Sequence, residues 1–178
     1  MAHDRDHRRH DDHDRDEHAS LAVKILTVSD GVSHGTREDT SGGALADHLS
    51  AAGWHVADQT VSEDGEAPVA AALRRLVDGF HGLVVTTGGT GFGPRDRTPE
   101  GTRAVIDREA PGLAEAMRLV SPFGRLSRAI AGTAGTALIL NTPGSARGCI
   151  ETLDAVLDVL PHAVRLLVDN QDPHPTPG

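Results

Sequence analysis

The residues best suited to chemistry sit in a few polar segments. Residues 86–93 read TTGGTGFG, directly after an apolar run. Four glycines among eight residues let the backbone approach a ligand closely and adopt positive φ, so successive N–H groups can point at one anion. A helix N-terminus close behind adds favourable potential for phosphate. The same residues also suit a plain strand-to-helix turn. The loop's length, its flanking Thr and the charges after it favour anion binding. Neither common nucleotide signature is present. Lys24 is the single lysine, so G-x-x-x-x-G-K-[ST] fails, and Gly89-x-Gly91 is followed by Pro94 where G-x-G-x-x-G needs glycine.

Residues 94–100, PRDRTPE, place Asp96 between Arg95 and Arg97. They read either as a solvated ion-pair cluster helping to cap a helix from Thr98, or as a carboxylate for Mg²⁺ with Arg95 or Arg97 on phosphate. Mg²⁺ typically takes one or two carboxylates plus substrate phosphates, so a second acid is expected from another loop. Residues 62–66, SEDGE, offer Glu63, Asp64 and Glu66, which also read as ordinary solvated acids. Ser29 and Asp30, with Arg37, Asp39 and Ser41 beyond, form a further polar loop, and Asp30 equally suits a turn. Residues 141–145, NTPGS, end an apolar run, with Ser145 as a candidate helix cap. No Ser-His-Asp or Cys-His arrangement emerges. Cys149 sits beside Ile150 in a helical pattern and reads as packing. His34, His48, His55, His81 and His162 lack ligand spacing.

These loops need a scaffold, and the chain supplies alternating elements. Strands are expected over residues 21–28, 54–61, 82–87 and 136–141. Helices are expected over 42–52, 69–77, 100–109, 112–120 and 147–159, with a last one after Pro161, which suits a first-turn position. Thr40 and Ser41 can cap the first helix and Gly53 can end it. Strands joined by helices imply a parallel sheet covered on both faces. Ligands of such sheets bind outside the carboxyl ends of strands. The loops leaving these strands are also the richest in Gly, Asp, Ser and Thr.

Composition bounds the rest. The chain has 178 residues, with 38% hydrophobic and 24% charged, which favours one domain. Residues 1–18 hold five His, seven acids and four Arg beside Met1 and Ala2. Such an arm is expected to be disordered, and it lacks the apolar stretch of a signal peptide. The arm can bind Zn²⁺ or Ni²⁺ loosely, or simply stay solvated. Residues 169–178 contain three Pro and read as a tail, leaving residues 19–168 as the folded domain. No window approaches a membrane span. The formal charge is −9, with three Phe, one Trp and no Tyr, which disfavours sequence-independent nucleic-acid binding. One cysteine fits a reducing cytoplasm.

Five segments in order resemble a known family: VSDGVSHGTREDTSG at residues 28–42, TTGGTGFGPRDRTPE at 86–100, EAPGL at 109–113, LSRAIAG at 126–132 and NTPGS at 141–145. The chain resembles the molybdopterin adenylyltransferases of the MogA/MoaB type, also seen as the gephyrin G domain, over about residues 21–167. The resemblance implies an α/β three-layer sandwich with a mostly parallel central sheet, usually a homotrimer, and a possible downstream molybdenum-insertion partner. It implies Mg²⁺-dependent reaction of molybdopterin with ATP to give adenylylated molybdopterin and pyrophosphate. Its essential, metal-holding carboxylates fall on Asp64 and Asp96. Its ATP and phosphate loop falls on Thr86, Gly88, Gly89, Thr90 and Gly91, with Arg95 beside it. Its pterin side falls on Ser29, Asp30, Asn141, Pro143, Gly144 and Ser145, and its acid before P-G on Glu109. Many relatives carry Pro where this chain has Glu63. A non-catalytic pterin-binding scaffold is the alternative. A nucleotide hydrolase like the competence-damage proteins fits less well, because Asp96 is followed by Arg97 rather than a second Asp.

Overall fold

The computed structural model describes residues 21–168. The arm at 1–18 and the tail at 169–178 lie outside the described residues. In chain order the elements are β1 (Ala22–Val28), α1 (Asp30–Ser33), α2 (Thr40–Ala51), β2 (His55–Ser62), α3 (Glu66–Val77), β3 (Gly82–Thr87), α4 (Thr98–Arg103), β4 (Arg108–Glu109), α5 (Pro111–Leu119), a 3₁₀ turn (Pro122–Leu126), β5 (Ala131–Ala134), β6 (Ala137–Thr142), α6 (Ala146–Asp154) and α7 (Leu160–Leu166). The sheet order is β2-β1-β3-β6-β5-β4. Pairings among β2, β1, β3 and β6 are parallel, and β5 and β4 are added antiparallel.

The central strands are apolar on both faces because both faces are covered. Along β1, Val23 and Ile25 point into one core with Leu45 and Leu49 of α2, Met117 of α5, Leu153 of α6 and Leu160 of α7. Leu26 and Val28 point into the other, with Val69, Leu73 and Leu76 of α3. Strand β3 divides its side chains the same way, with Leu83 and Val85 on one face and Val84 on the other. This is the expected three-layer α/β sandwich.

Several local expectations shift. Asp39, not Thr40 or Ser41, caps α2: one carboxylate oxygen accepts from the Gly42 N–H at 2.8 Å and the other from the Thr27 hydroxyl at 2.7 Å. The helix expected over 100–109 stops at Arg103. The chain then turns so that the Asp107 N–H donates to the Thr133 carbonyl at 2.7 Å, and Arg108 and Glu109 become an edge strand. Strands β4 and β5 are absent from the expected elements because neither carries an apolar run. The helix expected over 147–159 ends at Asp154, and α7 restarts at Leu160 with Pro161 in its first turn. No helix among the described residues is long and apolar enough to cross a membrane.

Candidate functional site

Parallel pairing brings the carboxyl ends of β1, β2, β3 and β6 to one edge of the sheet. Their loops are stitched together there. The Ser29 N–H donates to the Ser62 carbonyl at 2.9 Å and the Gly88 N–H to the Thr142 carbonyl at 3.1 Å. The Thr87 hydroxyl donates to the Pro143 carbonyl at 2.8 Å. Glycine is required at the turn itself. Gly88 and Gly89 adopt φ of +99° and +63°, and an added Cβ would run into the Val28 carbonyl and the Thr98 hydroxyl respectively. Thr98 does not cap α4 with its side chain. Its hydroxyl donates to the Gly88 carbonyl at 2.8 Å and its N–H to the Gly89 carbonyl at 3.0 Å, fixing the turn's shape.

Two cavities open on this edge. A polar one of about 190 Å³ is lined by Ser29, Asp64, Gly88, Gly89, Asp96 and Gly144, among others. A larger one of about 400 Å³ is lined by Thr90, Gly91, Asn141, Pro143 and Ser145, with Met117, Val120, Phe123 and Leu126 supplying apolar surface. The glycine turn and the turn after β6 each contribute to both cavities, so together they form the partition.

The two sequence-selected carboxylates share the polar cavity. One oxygen of Asp64 accepts from the Asp30 N–H at 2.9 Å, and the Asp64 N–H donates back to the Asp30 carboxylate at 3.1 Å. One oxygen of Asp96 accepts from the Gly93 N–H at 2.8 Å. Among the described residues the second oxygen of each has no hydrogen-bond partner, and neither side chain is in an ion pair. Two half-free carboxylates facing a phosphate-sized space suit Mg²⁺, which takes few protein ligands and fills its shell with phosphate and water. No cluster of three or more metal-type side chains exists among the described residues.

Arg95 is placed differently from its expected role. Its guanidinium grips the Asp30 carboxylate at 2.5 and 2.8 Å and the Asp64 carbonyl at 2.9 Å. That bond holds the Asp30 carboxyl below its usual range and pushes the arginine up. Arg95 and Asp30 thus form a clasp that positions Asp64.

Thr86 and Asn141 also prove to be internal supports. Both are fully buried. The Asn141 amide nitrogen donates to the hydroxyls of Thr86 and Thr102 at 3.0 and 2.9 Å, and its oxygen accepts from the Ile130 N–H at 3.2 Å. No polar atom of the Asn141 amide is left for a ligand beyond the oxygen's second lone pair. Ser145 caps α6 by accepting from the Gly148 N–H at 3.1 Å. Glu109 does not join the site: it lies on edge strand β4, paired with Arg103 at 3.0 Å. Cys149 is buried with its thiol pushed up to about 11 by desolvation, which suits packing rather than attack.

Two residues with structural claims on the site were missed. Arg128 donates to the Gly91 carbonyl at 2.8 Å, to the Asp96 carbonyl and to the Glu100 carboxylate, while its own N–H donates to the Thr90 carbonyl at 2.9 Å. One side chain therefore ties the glycine turn to the segment carrying Asp96. Glu100 answers it, with its carboxyl held below the usual range chiefly by Arg128. The available signal was a lone arginine among small and apolar residues in LSRAIAG.

Residues 24–162 match the family described as a probable molybdopterin binding domain. A molybdopterin adenylyltransferase from Helicobacter pylori is 35% identical over 158 residues, covering 85% of this chain and 90% of that protein. The Drosophila melanogaster molybdenum cofactor synthesis protein cinnamon is 36% identical over the same share of this chain, which spans only 26% of that longer protein. The crystal structure of the molybdopterin biosynthesis enzyme MoaB from Thermus thermophilus superposes with a TM-score of 0.77 at 47% identity, covering 83% of this chain and 96% of that one.

Proposed function

Since the chain belongs to the molybdopterin-binding domain family, we propose that it is a nucleotidyltransferase that adenylylates molybdopterin with Mg-ATP in molybdenum cofactor biosynthesis. The observation that carries this reading is the convergence of Asp64, Asp96 and the Gly88–Gly89 turn on one polar cavity beside a larger, apolar one. The triphosphate belongs in the first and the pterin in the second, an assignment that moves Ser29 and Gly144 from the expected pterin side to the nucleotide side, and Thr90 and Gly91 the other way. An oxygen of the molybdopterin terminal phosphate attacks the α-phosphorus of ATP in line, the bond to the bridging oxygen breaks, and pyrophosphate leaves.

Such a reaction needs alignment and charge neutralisation rather than a protein nucleophile. Bound Mg²⁺ would supply the neutralisation. Asp64 and Asp96 would hold it through their unpartnered oxygens. The positive-φ glycines let the turn approach the phosphates, and the Arg95–Asp30 clasp keeps Asp64 in place. Asn141 acts from behind, holding β3, α4 and the entry to β5 together.

The reading includes a homotrimer, supported by the outward-facing apolar side chains Phe92, Leu119, Phe123 and Leu126. It also includes a cytoplasmic location and handover of product to a molybdenum-insertion protein. The deciding experiment gives pure protein molybdopterin and Mg-ATP and measures pyrophosphate. Release only when both substrates are present supports the reading; no release sinks it. Asp96→Ala should lose turnover by at least about 100-fold with a far smaller change in Mg-ATP affinity, because metal alignment acts mainly in the transition state. Equal losses in both would remove that role from Asp96.

A further inference from the structure

The arginines of the site's loops differ in what they have left to give. Arg95 is spent on Asp30 and the Asp64 carbonyl. Arg97 lies 3.7 Å from Glu100. Arg128 is spent on Gly91, Asp96 and Glu100. Arg37 is in another position. It sits in the loop between α1 and α2, with its N–H on the Gly31 carbonyl at 3.0 Å. Its alkyl stem lies over Gly31, where a Cβ would come within 2.7 Å of Cδ. Among the described residues its guanidinium has no hydrogen bond and no ion pair, and it is the one cation lining the polar cavity.

The remaining charged residues of that cavity are Glu38, Asp39, Asp64 and Asp96. Asp39 is consumed in capping α2 and accepting from Thr27. A polyanion entering here therefore meets acids at Asp64 and Asp96, which a divalent cation must offset, and a single direct positive partner. A guanidinium presents paired N–H donors that match phosphate oxygens and keeps its charge at any working pH.

We propose that Arg37 is the side chain that binds the phosphate chain of the nucleotide, the role that the sequence pattern suggested for Arg95 or Arg97. The proposal rests on the adenylyltransferase reading and adds the direct cation to it. It makes Gly31 a fitted neighbour, since any side chain there would displace the Arg37 stem.

The test is calorimetric binding of Mg-ATP, and separately of molybdopterin, to the wild type, Arg37→Ala, Arg37→Lys and the control Arg75→Ala, which lies in a different surface groove. Arg37→Ala should weaken Mg-ATP about tenfold, as expected for loss of one charge-assisted contact worth about 1.4 kcal/mol. It should also flatten the salt dependence of binding and leave molybdopterin affinity within about twofold. Arg37→Lys should recover part of the loss, and Arg75→Ala should match the wild type. In turnover the change should fall on KM for ATP more than on kcat. Unchanged Mg-ATP affinity in Arg37→Ala, with tight binding by the wild type, overturns the Arg37 assignment alone. A wild type that binds no Mg-ATP overturns the adenylyltransferase reading and this assignment with it. Arg37 is exposed, so an altered melting temperature in Arg37→Ala would show a structural role and also count against the proposal.

Discussion

Replacing Arg128 by Met removes the side chain that joins the Gly91 and Asp96 carbonyls to Glu100 while keeping most of its apolar bulk. Three sets of bonds are lost: to the Gly91 carbonyl, to the Asp96 carbonyl and to the Glu100 carboxylate. The carboxylate bond is worth about 1.5 kcal/mol or more and each carbonyl bond about 0.5–1 kcal/mol. Arg128 and Glu100 are 31% and 24% exposed at their side chains, so solvent screening trims the ionic part. The expected loss is about 2–3 kcal/mol of stability, or about 5–10 °C in Tm for a domain of this size. Urea unfolding of Arg128→Met, Glu100→Gln and the double variant should give a coupling energy of about 1–2 kcal/mol. Pyrophosphate release separates positioning from stability. Arg128→Lys keeps a charge near Glu100 but cannot span both carbonyls, so it should regain part of the stability while turnover stays low. A coupling below about 0.3 kcal/mol, or an Arg128→Lys variant with full turnover, would refute the reasoning.

Two further outcomes follow from the same edge of the sheet. Gly89→Ala places a Cβ at φ +63° against the Thr98 hydroxyl, so it should cost about 1–3 kcal/mol and abolish pyrophosphate release; a Gly89→Ala enzyme with ordinary Tm and turnover would show that the turn is not held as described. The Asp30 carboxyl is held below its usual 3.8 by Arg95, so the stability this clasp contributes is present above 3.8 and lost only as pH falls through the lowered value. Arg95→Ala should return the Asp30 titration to the ordinary range, read by carboxyl-carbon NMR, and an unmoved titration would mean the clasp is not formed in solution.

The parallel core was legible because strands buried on both faces carry unbroken apolar runs, as in residues 82–87. Strand β5, AGTA, has no such run, and two-residue β4 has no period at all, so nothing in the pattern separates them from the preceding helix, which it carries on to Glu109. Nothing like a glycine or proline marks the end of the helix that starts at Ala146, so the pattern runs past Asp154. In the candidate site, residue types pointed to Asp96 and the glycine turn, the family resemblance added Asp64 from among three acids in SEDGE, and the structure brings all of them to one cavity. Residue types did not separate side chains that face a ligand from those that hold the ones that do. Thr86 and Asn141 resemble binding residues in one dimension, and both are fully buried and bonded to each other, although Asn141 also lines the larger cavity. Arg95 and Arg37 are the same residue type in two polar loops, and only the position of Asp30 decides which is already engaged.

The partition between the two cavities has a thermodynamic meaning. Gly88 and Gly89 look into one cavity while Thr90 and Gly91 look into the other, and Gly144 stands opposite Pro143 and Ser145 in the same way. With nucleotide on one side and pterin on the other, as proposed, a molecule on either side would stiffen a wall that the other must also press against, and the ordering cost would fall on whichever ligand arrives first. Linkage would then make the benefit mutual: the factor by which nucleotide tightens pterin would equal the factor by which pterin tightens nucleotide. On that reading, an affinity measured for one substrate alone would describe a looser molecule than the one that carries both.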